Sequence, residues 1–354
     1  MRRMASVAAV VVVVGLGLCG QARASGESMT GEAAVEALLA HSDGFRIGFP
    51  EGQQEAIIAA IERDSKLHPK DARLALGMAL IEQTRDNPKA ARDAAERAVE
   101  LDGSSPVAQY WLGNAVFSTI NDAGMLEKAS LASKGRKAYE KAIELDPNFV
   151  PARFAIAQFY IGAPGIAGGS TKKAREEAEA LLKIDGGAFY GQSLLGQLAA
   201  KDKKWADMEK AYADAIAAAE KADGDDGAGM RRSALTAWSW SLIDAKKDPA
   251  AALPVIERLA SDLPPEDPTA LFLRARALQG LERWAEAAAD YRAALALRPE
   301  AVNSGFNLGL CLEESGDKAG ALEAYEGFLE RHPDEGRAGD AKKAVKRLKK
   351  ALGK

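Results

Sequence analysis

Two stretches near the carboxy terminus decide the fold: LFLRARALQGLERWAEAAADYRAALALRP at residues 271–299 and GFNLGLCLEESGDKAGALEAYEGFLERHP at residues 305–333. The same residue classes recur between them at a constant offset of 34 positions. The matching pairs are Ala275 with Gly309, Leu278 with Leu312, Ala287 with Ala321, Tyr291 with Tyr325, and Pro299 with Pro333. A period of this length predicts a repeated unit of two helices joined by a turn.

The residues at these positions fit two antiparallel helices that pack closely. Small inner residues let the backbones approach, the tyrosine fills the space between neighbouring units, and the proline ends the second helix. The pattern extends towards the amino terminus through Gly196 with Tyr212 and Gly113 with Tyr139. The chain thus resembles the tetratricopeptide repeat family. The resemblance implies an all-α fold, a right-handed superhelical solenoid of about eight helix pairs with a C-terminal capping helix.

We expect the following organisation after the first 24 residues. A degenerate repeat occupies residues 25–69, repeats with insertions at 120–133 and 163–170 occupy 70–222, a Gly/Asp-rich linker occupies 223–230, further repeats occupy 231–337, and a basic capping helix occupies 338–354. The linker is predicted because residues 223–229 read DGDDGAG, a composition typical of a flexible connection.

The first 24 residues have the pattern of a cleaved secretory signal peptide. Arg2 and Arg3 precede an apolar run over residues 5–18, and a small-x-small site follows at residues 22–24. The apolar run is shorter than the ~20 residues that span a bilayer. A lipoprotein at Cys19 is the alternative, although Leu18 is larger than the residue usual before a lipidated cysteine. We therefore expect export, with a periplasmic or secreted mature chain.

The composition and motifs disfavour several classes of protein. The chain of 354 residues has 47 basic and 51 acidic residues, a formal net charge of −4, which disfavours bulk binding of nucleic acid. With two cysteines and three well-separated histidines, we expect neither a disulfide framework nor a zinc site. No motif brings an acid, a base and a nucleophile together. We predict no catalytic residue, no cofactor and no metal, and hence a protein that is not an enzyme.

The insertion at residues 163–170 resembles one particular group within the tetratricopeptide repeat family. Its sequence, APGIAGGS, together with Tyr110-Trp111-Leu112-Gly113, is similar to a group of exported bacterial tetratricopeptide repeat proteins. A looser similarity, through this turn, is to the periplasmic repeat subunit of some substrate-binding-protein-dependent transporters. Ser170 is expected to cap the next helix, and an anion site formed with Lys172 and Lys173 is the alternative.

The resemblance also indicates where a partner would bind. In this family the first helix of each pair lines a concave groove, and mapping its inward positions gives aromatic residues alternating with amides and one arginine. The predicted partner-binding residues are Tyr110, Asn114, Phe117, Phe154, Gln158, Tyr190, Gln197, Phe272, Arg276 and Phe306. Such a groove suits an extended peptide or a partner helix. The alternative for Phe154, Phe272 and Phe306 is a place in the core between repeats.

The last fifteen residues combine lysines and arginines with Ala344, Val345 and Leu348 at helical spacing. We expect them to form the polar cap that an open solenoid end needs, with weak contact to an anionic membrane surface as a further hypothesis. The function we predict is a non-enzymatic scaffold of the bacterial cell envelope that binds a protein partner. The alternative is a ligand-binding accessory subunit of an envelope transport system.

Overall fold

The computed structural model describes residues 29–42, 47–121, 123–222 and 224–353. Within these ranges the chain is helical and has no β-strand. The helices are α1 (Gly31–Ala40), α2 (Gln54–Leu67), α3 (Ala72–Thr84), α4 (Pro88–Leu101), α5 (Pro106–Ser118), α6 (Met125–Leu145), α7 (Val150–Gly162), α8 (Thr171–Leu181), α9 (Ala188–Lys201), α10 (Trp205–Ala219), α11 (Gly224–Trp240), α12 (Pro249–Asp262), α13 (Thr269–Gly280), α14 (Trp284–Leu297), α15 (Val302–Glu314), α16 (Lys318–Arg331) and α17 (Ala338–Ala351). The predicted all-α fold of about eight helix pairs and a capping helix is confirmed.

The chain forms two compact units, of which unit 1 ends at Leu198 and unit 2 begins at Ala199. In unit 1 the apolar core runs from α1 to Leu198 of α9. In unit 2 it runs from α13 to Leu348 of α17. Each core is formed by the packing of successive helices, as expected when a single pair cannot bury its own apolar face.

Local sequence signals set the helix boundaries. The side chains of Asp71, Ser105 and Asp248 accept hydrogen bonds from backbone amides three residues later, at 3.0, 3.1 and 3.1 Å. Proline occupies the first turn of α5 and α12, where its missing amide costs no hydrogen bond. These caps satisfy amides that would otherwise lack partners at the helix ends.

Small residues on the inner positions let neighbouring helices touch, within a pair at Gly113 and between pairs at Gly77. A Cβ built on Gly113 would lie 2.3 Å from Tyr139 Cε1, and one on Gly77 would lie 2.5 Å from Val35 Cγ2. Both distances are far below ordinary van der Waals contact, so any side chain there would push the helices apart.

Where the structure describes them, the two predicted insertions form turns and helix. The first is largely an extension of α6, which has 21 residues where α4 has 14. The second contains a 3-10 turn at Gly165–Ala167, followed by Gly168 with a φ of 96°. Its last residue, Ser170, accepts a hydrogen bond from the Lys173 amide at 3.3 Å, which confirms the predicted cap.

The predicted linker at 223–230 is wrong, because α11 begins at Gly224 and continues to Trp240. Two features favour a helix here. Asp226 lies in the first turn, where an acidic residue interacts well with the helix dipole. Gly227 permits a close approach, since a Cβ on it would lie 2.5 Å from the Ala222 carbonyl oxygen. Gly227 in this stretch therefore serves helix packing.

The predicted signal peptide at residues 1–24 lies outside the described residues. Where the structure describes the chain, none of its helices combines the length and apolar character needed to cross a membrane.

Candidate functional site

In unit 2, partly exposed aromatic rings follow one another along the first helices of successive pairs. Phe272 on α13 and Phe306 on α15 are 34 residues apart, and each makes an edge contact with the tyrosine of its own pair. The ring centroids are 5.9 Å apart for Phe272 with Tyr291 and 5.5 Å for Phe306 with Tyr325. Trp240, at the end of α11, lies 5.9 Å from Phe272. Three rings thus follow one another across three pairs.

A π-helical turn at Ser241–Lys246 places an acid next to this row. Thirteen positions separate the buried small residues Ser239 and Ala252, whereas twelve separate Ala275 and Ala287. One extra residue in a helix rotates the following side chains by about 100°. Asp244, in this turn, pairs with Arg276 of α13 at 3.1 Å, and both side chains stay partly exposed.

A chain of hydrogen bonds supports the other end of the row. Arg337, just before α17, donates to Asn307 Oδ1 at 3.0 Å. Asn307 donates to the Tyr291 hydroxyl at 3.3 Å, and Tyr291 donates to Gln279 Oε1 at 2.9 Å. Burial raises the pKa of Tyr291 above its ordinary value, so the hydroxyl keeps the proton that it donates. Four side chains from four segments of unit 2 are thereby held in fixed orientation.

We call the partly exposed set Trp240, Asp244, Phe272, Arg276, Phe306 and Arg337 the first-helix face of unit 2. The sequence predicts three of its six members, namely Phe272, Arg276 and Phe306. It misses Trp240 and Asp244 because the small inner residue of their pair, Ser239, lies 36 positions before Ala275, whereas the repeat period is 34. Arg337 is missed because it follows the proline that closes the last repeat.

Four of the other predicted residues lie in the core of unit 1. Tyr110 and Phe154 are 0% exposed and Tyr190 is 1% exposed. Phe154 meets Tyr190 at 5.2 Å between ring centroids. Asn114 is buried and accepts a hydrogen bond from the Tyr139 hydroxyl at 2.6 Å.

We therefore correct the prediction that these four side chains line a groove. They fill space between helices and offer almost no surface to a partner in this structure. For Phe154, the alternative of a core position is the one that the structure shows, because a large apolar ring buries readily against the next pair.

The remaining three predicted residues, Phe117, Gln158 and Gln197, are partly exposed in unit 1. Phe117 stacks on Tyr139 with centroids 5.6 Å apart. The Nε2 atoms of Gln158 and Gln197 are buried and have no acceptor among the described residues. A role for these residues in partner binding stays a prediction.

The turn at residues 163–170 gives no support for an anion site. Lys173 lies over the Tyr160 ring at 5.3 Å from its centroid, a cation–π contact. Lys172 is 3.9 Å from Glu176. Both cations thus have partners on their own repeat pair.

The helix α17 packs as a cap through Ala338, Ala341, Ala344 and Leu348, which are buried. Its basic side chains are partly neutralised, since Arg347 contacts Glu313 at 2.6 Å and Lys349 contacts Glu326 at 2.8 Å. Contact of this helix with a membrane surface stays a hypothesis. Among the residues that the structure describes, no group of three or more His, Cys, Asp and Glu could hold a metal ion.

Comparison with known proteins agrees with the repeat architecture. A family model described as tetratricopeptide repeat matches residues 45–106, 237–300 and 272–336. The crystal structure of yeast Tom70 is similar with a TM-score of 0.65 at 16% identity, covering 92% of this chain and 65% of that one. A tetratricopeptide repeat protein from Parabacteroides merdae has a TM-score of 0.49 at 13% identity, covering 78% of this chain and 98% of that one. A search of curated proteins found no match. The family model shows tetratricopeptide repeats over the matched residues, and the similarity to yeast Tom70 shows a helical repeat fold.

Proposed function

We propose that this protein is a non-enzymatic scaffold and that the first-helix face of unit 2 binds a segment of a partner protein. The observation that carries the proposal is the row of partly exposed rings, Trp240, Phe272 and Phe306, flanked by Arg276 and Arg337. Aromatic and arginine side chains are enriched among the residues that contribute most to protein interfaces, because they offer large contact areas.

The spacing of these groups favours an extended peptide or one face of a helix as the bound segment. The rings belong to three successive helix pairs, so a ligand that touches all of them must itself be elongated. The Asp244–Arg276 pair and Arg337 add polar groups beside the rings, which can fix the direction of the segment.

We also propose that the chain acts in the bacterial cell envelope after removal of residues 1–24. The support for this is the sequence pattern of those residues. The experiment is mass spectrometry of the protein isolated from its source, where an amino terminus at Ser25 is expected. An unprocessed Met1 or a lipid on Cys19 would contradict it.

Site-specific photo-crosslinking tests the binding face directly. A photoreactive residue at Leu310 of α15 occupies the repeat position of Arg276, 34 residues later, and is partly exposed. The matched control is the same residue at Arg292, an exposed position on the second helix α14. We expect a protein adduct from position 310 and none from 292. Adducts of equal yield at both positions, or none at either, would contradict the proposal.

A second pair of variants tests the contribution of the face to affinity for the captured partner. Arg276→Ala removes a cation from the face, whereas Arg283→Ala removes one that pairs with Glu286 elsewhere on the surface. We expect Arg276→Ala to weaken binding by about tenfold and Arg283→Ala to leave it unchanged. Circular dichroism must show equal helicity for both variants. A small molecule that copurifies, in place of a protein adduct, would favour the transport-accessory alternative.

A further inference from the structure

The last helix of unit 2 carries a concentration of positive charge that the rest of the chain lacks. Residues 341–354 contain seven lysine and arginine residues and no acid, whereas residues 1–340 contain 40 basic and 51 acidic residues. The formal side-chain charge is therefore +7 for this segment and −11 for the remainder. Such an asymmetry directs the attraction of the protein for an anionic surface to one place on the molecule.

Part of this charge is paired within the protein. Arg347 contacts Glu313 at 2.6 Å, and Lys349 contacts Glu326 at 2.8 Å, so these two cations hold α17 against α15 and α16. A second group of basic side chains is exposed and forms no ion pair with a carboxylate that the structure describes: Lys342, Lys346 and Lys350. We call these three residues the lysine stripe of α17.

The lysine stripe lies on the side of α17 that faces away from the core. Successive residues of an α-helix are rotated by about 100°, so positions two apart lie on nearly opposite sides. Ala344 and Leu348 are buried in the core of unit 2, and each lysine of the stripe is two positions from one of them. The three lysines are four residues apart, so they follow one line along about 12 Å of the helix.

The composition of this face favours an anionic membrane surface over a protein or a nucleic acid. Lysine is depleted in protein interfaces, where aromatic residues and arginine are enriched instead. Residues 338–354 contain no aromatic ring that could stack on a base. Anionic lipids attract lysine clusters on a helix face, and each lysine near the surface strengthens binding by about fivefold.

We infer that α17 docks the protein on an anionic membrane surface through its lysine stripe. The contact is peripheral, because the larger apolar residues of α17 pack against the core of unit 2 and do not insert into lipid. Lys343 adds to the same surface, since its pair with Asp340 at 3.1 Å joins two exposed side chains and is weak. The inference is independent of the proposed peptide site, because no residue of the stripe belongs to the first-helix face of unit 2.

Co-sedimentation of the full chain with lipid vesicles tests the inference. One set of vesicles is phosphatidylcholine alone, and the other contains about one third phosphatidylglycerol, an anionic lipid. We expect binding to the anionic set at low salt, release as the salt concentration rises, and at least about tenfold weaker binding to the neutral set. The apolar run at residues 5–18 would bind both sets alike, so the neutral vesicles control for it. Equal binding to the two sets would overturn the inference.

Triple variants identify the face that is responsible. Replacing the lysine stripe by glutamine should weaken binding to the anionic vesicles by more than about tenfold, and replacing it by arginine should preserve binding within about twofold. The matched control replaces three exposed lysines at or near α10 by glutamine, namely Lys204, Lys210 and Lys221. It removes the same charge from another part of unit 2 and should change binding by less than about twofold. Circular dichroism must show equal helicity, and equal binding by the two glutamine variants would contradict the inference.

A soluble polyanion separates a membrane surface from anions in general. A double-stranded oligonucleotide should bind the native chain at least about tenfold more weakly than the anionic vesicles do, since three lysines neutralise few phosphates and supply little affinity at moderate salt. If the oligonucleotide binds as tightly as the vesicles and depends on the same three lysines, the stripe is a general polyanion site and the inference fails. Each of these failures leaves the proposed binding of a partner protein untouched.

Discussion

Gly309 lies directly against the ring of Tyr325, and this contact sets how closely α15 and α16 approach. A Cβ built on Gly309 would lie 2.7 Å from Tyr325 Cδ1 and 2.8 Å from Cε1. Tyr325 is buried among the residues of the unit 2 core, so its ring has no free space to enter. The pair occupies the same repeat positions as Ala275 and Tyr291, which are 34 residues earlier.

We expect Gly309→Ala to destabilise the protein by about 1–3 kcal/mol, because the added methyl overpacks the helix interface. The matched control is Gly339→Ala, a helical glycine of α17 with no atom within 4 Å of a built Cβ. That change should be neutral or stabilise by about 0.5 kcal/mol through lower chain entropy in the unfolded state. Urea denaturation measures both. Equal effects of the two substitutions would show that the Tyr325 contact does not limit the packing.

The turn at residues 163–170 leaves no room for a side chain at Gly169. A Cβ on Gly169 would lie 1.8 Å from the Ala163 carbonyl oxygen, whereas one on Gly165 meets nothing within 4 Å. Gly169→Ala should therefore displace the turn and break the hydrogen bond from the Ser170 amide to the Tyr160 carbonyl, which is 2.9 Å long. We expect a loss of about 2 kcal/mol or more.

Hydrogen exchange at the Ser170 amide is the measurement. Exchange should speed up in Gly169→Ala and stay at the native rate in Gly165→Ala. If both variants exchange at the native rate, the turn can relax around a side chain at position 169.

Comparison of equivalent residues shows how far the sequence determines the site. Tyr110, Phe154, Phe272 and Phe306 all lie three positions before the small inner residue of their pair, so the repeat predicts one direction for all four. Their burial nevertheless differs, since the first two are fully buried and the last two are partly exposed. Tyr110 is covered by Phe149 and Phe154 by Tyr190.

Periodicity thus gives the fold and the orientation of each position, because close helix packing requires small residues at a fixed spacing. The exposed fraction of a side chain depends on which neighbouring residue covers it, and that residue belongs to another helix pair. The linker prediction failed for a related reason: Gly227 is needed for contact with the Ala222 carbonyl, and composition alone does not distinguish a packing glycine from a flexible one.

The buried tyrosines predict loss of stability in alkali. Burial raises the pKa of Tyr325 from its ordinary value near 10 to about 12. The folded state then holds this proton more tightly than the unfolded state, so the contribution of Tyr325 is complete below pH 10 and is lost as the pH rises towards 12. Tyr212, whose pKa burial also raises to about 12, acts in the same direction.

The free energy of unfolding, measured in urea at several pH values, should fall between pH 10 and 12. Tyr325→Phe removes one titrating group and no side-chain hydrogen bond that the structure shows, so its stability should fall less steeply over this range. The Cys311 thiol, whose pKa burial raises to about 11, is present in both proteins. Parallel curves for the two proteins would contradict the assignment to Tyr325.

The pair Arg274–Asp290 predicts a difference between arginine and lysine. Arg274 Nε and Nη2 each donate to one oxygen of Asp290 at 2.7 Å, and Asp290 is 8% exposed. A lysine ammonium is compact and lacks the two parallel N–H donors of a guanidinium. Arg274→Lys would therefore leave one buried carboxylate oxygen of Asp290 without its donor. We expect a loss of about 1–2 kcal/mol, which reflects one charge-assisted hydrogen bond discounted for the partial exposure of Arg274.

The matched control for Arg274→Lys is Arg283→Lys. Arg283 also makes two hydrogen bonds to one carboxylate, that of Glu286, but both of these side chains are exposed. Water replaces a lost donor at such a site, so the free energy of unfolding should not change measurably. Combining Arg274→Lys with Asp290→Asn tests the coupling, since the effect of the lysine should shrink once the carboxylate is gone. An equal loss of unfolding free energy in Arg283→Lys would mean that the two-hydrogen-bond geometry of the arginine–carboxylate pair determines the effect and that its burial does not.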